Sequence, residues 1–245
     1  MSIISDLAVA DKLADKTLAT MERQIANQYK AAYTDMRGVF SEAFAKYEQG
    51  GTLTYNEMMK YNRLKSMQTE LNKTLAELYA DDTSILNKGL TSTYKDSYYR
   101  AAYSIEKEIQ AKLSYMPLDT ARIKAAIQNP ISGLTLNDTL LKNKANIISK
   151  INQEITRGLI QGTSYGKMAK AIKETLGGDA GKSLLVAQTE AHRVHNQARW
   201  DSMKHADDLG VEMVKVWVST MDARTRDAHR TLDGTEIGVD EKIQQ

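Results

Sequence analysis

Near its C-terminal end the chain carries a short segment rich in side chains that could do chemistry. An indole, two carboxylates, two guanidinium groups and an imidazole fall within 17 residues: Trp217, Asp222, Arg224, Arg226, His229 and Asp233. A turn at Asp222 followed by a short helix over residues 225–231 would place Thr225, Arg226 and His229 on one face, because residues three or four apart are neighbours on a helix. The segment predicts either a small polar site or a network of caps and ion pairs that holds a subdomain together.

The Asp222 carboxylate is predicted to accept the backbone amides of Arg224 and Thr225, as an aspartate does at the start of a helix. One of the two arginines, Arg224 or Arg226, is expected to pair with a carboxylate. Glu190, on a long helix that precedes the segment, is the candidate partner.

Three histidines form a second group that could hold a metal. His192 and His195 lie three residues apart beside Glu190, and His229 is the remote candidate ligand. Imidazole and carboxylate suit zinc or iron, but the order differs from the His-Glu-x-x-His of zinc proteases. With no cysteine in the chain, thiolate metal sites, disulfides and a cysteine nucleophile are excluded. We predict no metal and no cofactor, and keep a metal-assisted hydrolase acting through these residues as the alternative.

Positive charge is concentrated in one part of a chain whose net charge is only +2. Between residues 140 and 173, seven cations stand against Glu154 alone: Lys142, Lys144, Lys150, Arg157, Lys167, Lys170 and Lys173. Two predicted helices carry this segment. It indicates either a surface that faces phosphates or an acidic protein, or a solvated lysine face without a partner.

The common catalytic signatures are missing from the chain. There is no phosphate-binding Walker loop, no dinucleotide-binding glycine pattern, no Gly-x-Ser-x-Gly and no kinase motif set. The first residues include no basic stretch before an apolar run, which speaks against a signal peptide, and no apolar run reaches the roughly 18 to 20 residues of a membrane helix. We expect a protein of the cytoplasm, or of an assembly that forms there.

Helices must position these groups, because apolar residues recur every three or four positions along most of the chain. The spacing predicts a first helix over residues 6–49 and a second from residue 54, with a restart or kink at 81–84. A third helix is predicted from 94 to 113. Four more are predicted from 119 to 127, from 137 to 159, from the cap at 162–164 up to Gly177, and from 180 to 208. Gly177 and Gly178 are predicted to end a helix, and Gly210 to follow the last long one. Short strands are predicted near 211–218 and 235–239.

With only 2 prolines in 245 residues, the chain is predicted to be mainly α. Long N-terminal helices, in a bundle or hairpin, precede a small C-terminal α+β subdomain. The predicted regions are a long-helix region (1–115), a basic helical connector (116–180) and the C-terminal subdomain (181–245).

Residues 130–240 resemble the phage head morphogenesis family, the minor head proteins related to the Mu F protein. The resemblance rests on Gln188-Thr189-Glu190, Asn196, Ala198, Gly210-Val211, Lys215-Val216-Trp217, Asp222-Ala223-Arg224-Thr225-Arg226-Asp227-Ala228-His229 and Asp233-Gly234, with residues 155–164 upstream. The chain departs from the family at Gln188, where arginine is common, and in having no cysteine pair.

The resemblance implies a virion component in the head interior near the portal, with a role in head assembly or in DNA packaging or ejection. The implied partners are the portal protein, a capsid or scaffolding protein, and DNA bound without sequence preference. The implied motif residues, structural or interacting, are Thr189, Glu190, Asn196, Trp217, Asp222, Arg224, Thr225, Arg226, His229, Asp233 and Gly234. A host-directed effector injected with the genome is a further alternative.

Overall fold

The structure, a computed structural model, describes residues 3–115, 117–219, 222 and 225–241, and for residues 3–5 it describes the backbone only. The helices are α1 (Ile3–Tyr47), α2 (Tyr55–Met59) with a 3₁₀ turn at Lys60–Asn62, α3 (Arg63–Glu108), α4 (Thr120–Ile127), α5 (Leu136–Ile160), α6 (Tyr165–Asp208) and α7 (Asp227–Thr231). The strands are β1 (Val214–Val216) and β2 (Glu236–Gly238). The predicted fold class is confirmed: long helices precede a small C-terminal α+β part. The division into three regions stays a prediction.

The core lies along a seam between the three longest helices. The apolar stripe of α1 meets those of α3 and α6, and its fully buried members include Met21, Ile25, Met36 and Phe40. On α3 the stripe includes Leu71, Leu75, Leu86 and Leu90, and on α6 Ala187, Val194 and Ala198. Repeats of three and four residues put these side chains on one face of each helix, so the packing follows from the pattern. The shorter α5 packs against α3 and α6.

Polar contacts set the relative direction of the three long helices. Lys107, near the end of α3, pairs with Asp6, near the start of α1, so these two helices are antiparallel. Tyr79 on α3 binds Asp179 on α6, and eighteen residues further along α3 Ser97 contacts His195 of α6. The helices α3 and α6 therefore run in the same direction.

Side-chain caps begin the shorter helices where the sequence places them. Thr54 accepts the amide of Glu57 at the start of α2, although the Glu57 carboxylate pairs with Lys60 and Arg63. Asp119 accepts the amide of Ala121 at α4, where the sequence predicts that a helix begins. Such caps satisfy amides that have no partner within the helix.

Two predicted interruptions of the helices are wrong. The helix α3 runs unbroken through residues 81–84, and α6 runs unbroken through Gly177 and Gly178. In α6 the residues on either side of the glycine pair, Leu176 and Asp179, are buried in the seam. Burial against two neighbouring helices outweighs the weak helix propensity of glycine. None of the helices in the described part of the chain is both long enough and apolar enough to cross a membrane.

Gly89 lets α1 and α3 approach closely. A Cβ at this position would lie 2.1 Å from Sδ of Met21, a residue that is only 1% exposed. We predict that Gly89→Ala lowers the free energy of unfolding by about 1 to 3 kcal/mol, because a packed core has no room for an added methyl group. Chemical denaturation followed by circular dichroism measures this.

The matched control is Gly38→Ala on α1, where a Cβ would meet nothing within 4 Å. This variant should be unchanged or more stable by up to about 1 kcal/mol, since alanine favours the helix. Equal effects at the two positions would contradict the close approach at Gly89.

Candidate functional site: the C-terminal motif and the basic surface

The C-terminal motif begins where α6 ends. Gly210 adopts φ +90°, and its amide and that of Val211 donate to carbonyls of the last helical turn. Such a left-handed glycine ends many helices. The chain then enters β1, which pairs antiparallel with β2 so that Lys215 faces Ile237. This confirms both predicted strands.

Trp217 continues the pairing beyond the strands. Its amide donates to the carbonyl of Thr235, and its carbonyl accepts the amide of Gly234, both at 2.9 Å. Gly234 has φ +78°, a conformation that residues with a Cβ rarely adopt. The indole ring meets the His229 ring edge-on, with centroids 5.5 Å apart.

The remaining contacts of this motif hold its loop in shape. The Asp233 carboxylate accepts the amide of Ser219 at 2.7 Å. The Ser219 hydroxyl donates to the backbone carbonyl of His229 at 2.6 Å and accepts the indole N–H of Trp217 at 2.9 Å. Three predicted motif residues, Trp217, His229 and Asp233, are thus brought together. Ser219 joins them as a residue that sequence reasoning missed.

Asp222 makes a turn with Thr225. Its carboxylate accepts the hydroxyl of Thr225 at 3.1 Å, and its carbonyl accepts a guanidinium N–H of Arg230 at 2.7 Å. The amide of Thr225 donates to the carbonyl of Asp222 at 3.3 Å. Arg224, the other predicted donor, lies outside the described residues, so the cap at Asp222 stays a prediction.

The helix α7 begins at Asp227, with Arg226 in the N-cap position, and not at Thr225. The shared helical face predicted for Thr225, Arg226 and His229 is therefore wrong, since Thr225 belongs to the preceding turn.

Glu190 is buried on α6 and pairs with an arginine of its own helix. The carboxylate lies 2.7 Å from the Arg193 guanidinium, which also donates to the carbonyls of Ala126 and Ile127 at 2.7 Å each. The predicted partnership of Glu190 with Arg226 is therefore wrong, and Arg224 lies outside the described residues. Arg193 fastens the end of α4 to α6. The spacing Glu-x-x-Arg was the signal for this pair.

His195 links the three long helices. Its Nδ1 lies 2.7 Å from the hydroxyl of Ser97, and its Nε2 lies 2.9 Å from the carboxylate of Asp11, which also pairs with Arg199. Burial lowers the pKa of His195, and the Asp11 contact partly offsets this. Ser97, His195 and Asp11 are the residue types of a serine hydrolase, but Ser97 is only 2% exposed. Because a substrate cannot reach that buried hydroxyl, these contacts serve to hold the three helices together.

The other candidate residues of α6 face outward. Thr189, His192 and Asn196 are exposed, which leaves them free for contact with a partner. Among the described residues, no three histidine or acidic side chains are arranged to hold a metal ion. His192, His195 and His229 therefore do not form the metal site considered as an alternative.

The predicted basic residues spread along α5 and the first turns of α6. All are exposed except Lys144, which is half-buried in a groove against α3. Two have acidic neighbours, because Arg157 pairs with Glu154 and Lys170 lies 3.9 Å from Glu174.

One cation that the sequence analysis missed joins this surface from α1. Arg37 lines a cavity of about 660 Å³ together with Lys170, Lys173 and Glu174 of α6, and the side chains of Tyr33 and Tyr165 line it as well. The Arg37 guanidinium donates to the Tyr165 hydroxyl at 3.3 Å. Nothing in the local sequence around Arg37 could have indicated this, because it lies 133 positions from Lys170.

Comparisons with known proteins agree with this architecture. Residues 149–245 match the family described as Phage Mu protein F like protein. The chain is 30% identical over 233 residues to the minor head protein GP7 of Bacillus phage SPP1, which covers 95% of the chain and 75% of that protein. It is 27% identical over 223 residues to an NAD(+)–arginine ADP-ribosyltransferase, EFV, of Enterococcus faecalis, covering 91% of the chain but only 45% of that protein. No solved structure matches.

The chain forms a long helical bundle with a small hairpin motif, and a phage minor head protein matches it along most of its length. It is therefore a phage head protein that serves in head morphogenesis as part of the virion. The chain belongs to the phage Mu F-like family of minor head proteins.

The Glu190–Arg193 pair yields a prediction about stability. Arg193→Met removes the partner of a buried carboxylate and the donors to α4, so we predict a loss of about 3 to 5 kcal/mol in the free energy of unfolding. The double variant Glu190→Gln/Arg193→Met should recover part of that loss, because it leaves no buried charge unpaired. Urea denaturation of the wild type, both single variants and the double variant measures the coupling. Additive losses would show that the two side chains do not depend on each other.

Proposed function

We propose that this protein is a structural component of the head that docks at the portal and contacts packaged DNA through its basic surface. It would act in head assembly or in DNA packaging or ejection. The observation that carries the DNA contact is the grouping of Arg37 with Lys170 and Lys173 around one cavity, in which Glu174 is the one acidic lining residue among those described. The other lysines of α5 and α6 in this basic segment are exposed as well, except the half-buried Lys144. Membership of the minor head proteins supports the setting.

The basic surface suits the sugar–phosphate backbone better than the bases. Lysine neutralises a phosphate as a flexible point charge and does not distinguish sequences. Tyr33 and Tyr165 flank the cations of the cavity, so a ring can lie against a sugar or an exposed base while the charges hold phosphate. A protein that touches a packaged genome has no need to choose a sequence. The contact is therefore electrostatic and sequence-independent.

The docking partner in this proposal is the portal protein, with capsid or scaffolding protein as a second neighbour. In the motif from Trp217 to Gly234, the side chains of Trp217, Ser219 and Asp233 form hydrogen bonds within the loop. These bonds fix the form of the loop, which suits recognition by a partner. The motif residues remain candidates for that contact together with exposed Thr189 and Asn196 of α6.

The role proposed is not enzymatic. The hydrolase alternative requires His192, His195 and His229 to share a metal, whereas the described residues hold no such cluster. The transferase name belongs to a relative of which the chain covers under half, so that activity is not carried over. The effector alternative would require an accessible catalytic group, and the buried Ser97 does not provide one.

The DNA contact predicts a salt dependence. If about four to six cations engage phosphate, the log–log slope of affinity against salt should be near −4 to −5 for duplex DNA. The triple variant Arg37→Gln/Lys170→Gln/Lys173→Gln should flatten the slope by about two to three units, and so should Lys142→Gln/Lys144→Gln/Lys150→Gln. Fluorescence anisotropy with a labelled duplex measures both.

The control is Lys12→Gln/Lys16→Gln/Lys88→Gln, which removes the same charge from exposed positions outside this surface. It should change the slope by less than one unit, and scrambled duplexes should compete equally. An affinity that ignores salt, or equal effects of all three triples, would contradict the basic surface as the DNA contact.

A further inference from the structure

The middle of α6 contains a glycine-rich turn that its surroundings do not require. Gly177, Gly178 and Gly181 are exposed, and a Cβ at any of them would meet nothing within 4 Å. Close packing therefore does not explain these glycines, and their helical φ values do not explain them either. Glycine is among the weakest helix formers. Three within five residues make this the weakest helical turn of a 44-residue helix.

A buried cluster on the opposite side of this turn holds α6 straight. The Asp179 carboxylate accepts the hydroxyls of Tyr29 on α1 and Tyr79 on α3, each at 2.8 Å. The Tyr29 hydroxyl also lies 2.9 Å from that of Ser183, one turn further along α6. The weak turn is thus fastened to both neighbouring long helices by contacts that require it to be helical.

Asp82 lies in the same cluster but, within the described part of the chain, lacks hydrogen bonds like those of Asp179. It is fully buried on α3, and neither of its carboxylate oxygens makes a hydrogen bond of ordinary length and angle to the described residues, although the Ser183 hydroxyl lies close enough to act on the carboxyl group. Burial raises the pKa of Asp82 to about 7, with the charges of Asp179 and Asp81 adding to the rise and Ser183 opposing it. Burial also raises the pKa of Asp179, while Tyr29, Tyr79, Lys182 and, from α5, Lys150 act in the other direction.

We propose that residues 177–181 form a hinge in α6 that stays helical while Asp82 carries a proton and opens when Asp82 becomes charged. A second negative charge beside Asp179 is costly in a buried site. Opening of the adjacent turn admits water to both carboxylates. This inference does not depend on DNA binding or portal docking.

The hinge lies between the basic residues at the start of α6 and the C-terminal motif. The basic residues Lys167, Lys170 and Lys173 precede it, and the C-terminal motif follows the end of α6. Bending at residues 177–181 therefore changes the angle between the basic surface and the motif. Such a bend would let one protein adjust its hold on two partners.

The direction of the pH dependence follows from linkage. A carboxyl group whose pKa is raised in the closed state binds its proton there more tightly than in the open state, where the value falls towards 3.8. The closed state is therefore most stable at low pH, loses stability as the pH rises from about 4 to about 7, and stays at its least stable above that.

Hydrogen exchange with mass spectrometry on the full chain tests the hinge. After correction for intrinsic exchange rates, protection at residues 177–184 should be at least ten-fold lower than at residues 168–173 and 187–194. It should fall at least ten-fold further between pH 5.5 and 8. Asp82→Asn should remove that pH dependence, whereas Asp81→Asn, at the exposed neighbouring position, should leave it.

A second set of variants tests the glycines. Gly177→Ala/Gly178→Ala/Gly181→Ala should raise protection of residues 177–184 at least ten-fold at pH 8, whereas Gly38→Ala on α1 should not affect α6. Uniform protection along wild-type α6, or no response to the triple alanine variant, would overturn the hinge. A pH dependence that survives Asp82→Asn would overturn the assignment of Asp82 as its trigger.

Discussion

The burial of one carboxylate, that of Asp179, is the constraint on which the arrangement of the long helices depends. Two tyrosine hydroxyls from different helices converge on it at 2.8 Å, and a buried charge of this kind is tolerated only when it is hydrogen-bonded. These contacts fix α1, α3 and α6 at one level. The apolar stripes alone would not fix this level, because each stripe repeats along its helix, and the Ser97–His195–Asp11 contacts hold the same three helices further along.

Once that level is fixed, the ends of α6 determine where the functional surfaces lie. Its first turns bring Lys170 and Lys173 opposite Arg37 of α1. Further along, Arg193 fastens α4, His195 reaches Asp11 and Ser97, and Gly210 starts the turn into the hairpin. This one helix thus carries Lys167, Lys170 and Lys173 of the basic surface near its start, and the motif follows its end. It also contains the weak turn between them.

The sequence predicted the elements well and their partners poorly, for physical reasons. Periodicity and caps are local, so α5, the Asp119 cap, the Gly210 stop and both strands were predictable. The prediction that a helix ends at Gly177 and Gly178 was wrong because burial against other helices keeps this weak turn helical. That burial cannot be read from the neighbouring residues in the sequence. Glu190 was assigned to remote arginines although Arg193, three residues away, holds it. Arg37 joins the basic surface only because α1 packs against α6, which the sequence around Arg37 does not show.

The contacts within the motif bear on how it works. The Asp233 carboxylate, the Ser219 hydroxyl and the Trp217 indole each bind within the loop, so these groups shape a surface. Under the structural role proposed above, a partner would recognise the shape of this loop at the end of α6.

The central claim, that this minor head protein is a structural partner of the portal, is tested most directly by affinity capture of the tagged full chain. The source is a lysate of infected or lysogenic cells that make heads, and the captured proteins are identified by mass spectrometry. The account predicts that portal protein is recovered, with capsid protein, in the fraction that sediments as heads or head precursors. Recovery of neither protein above an untagged control, with the chain sedimenting free, would contradict it.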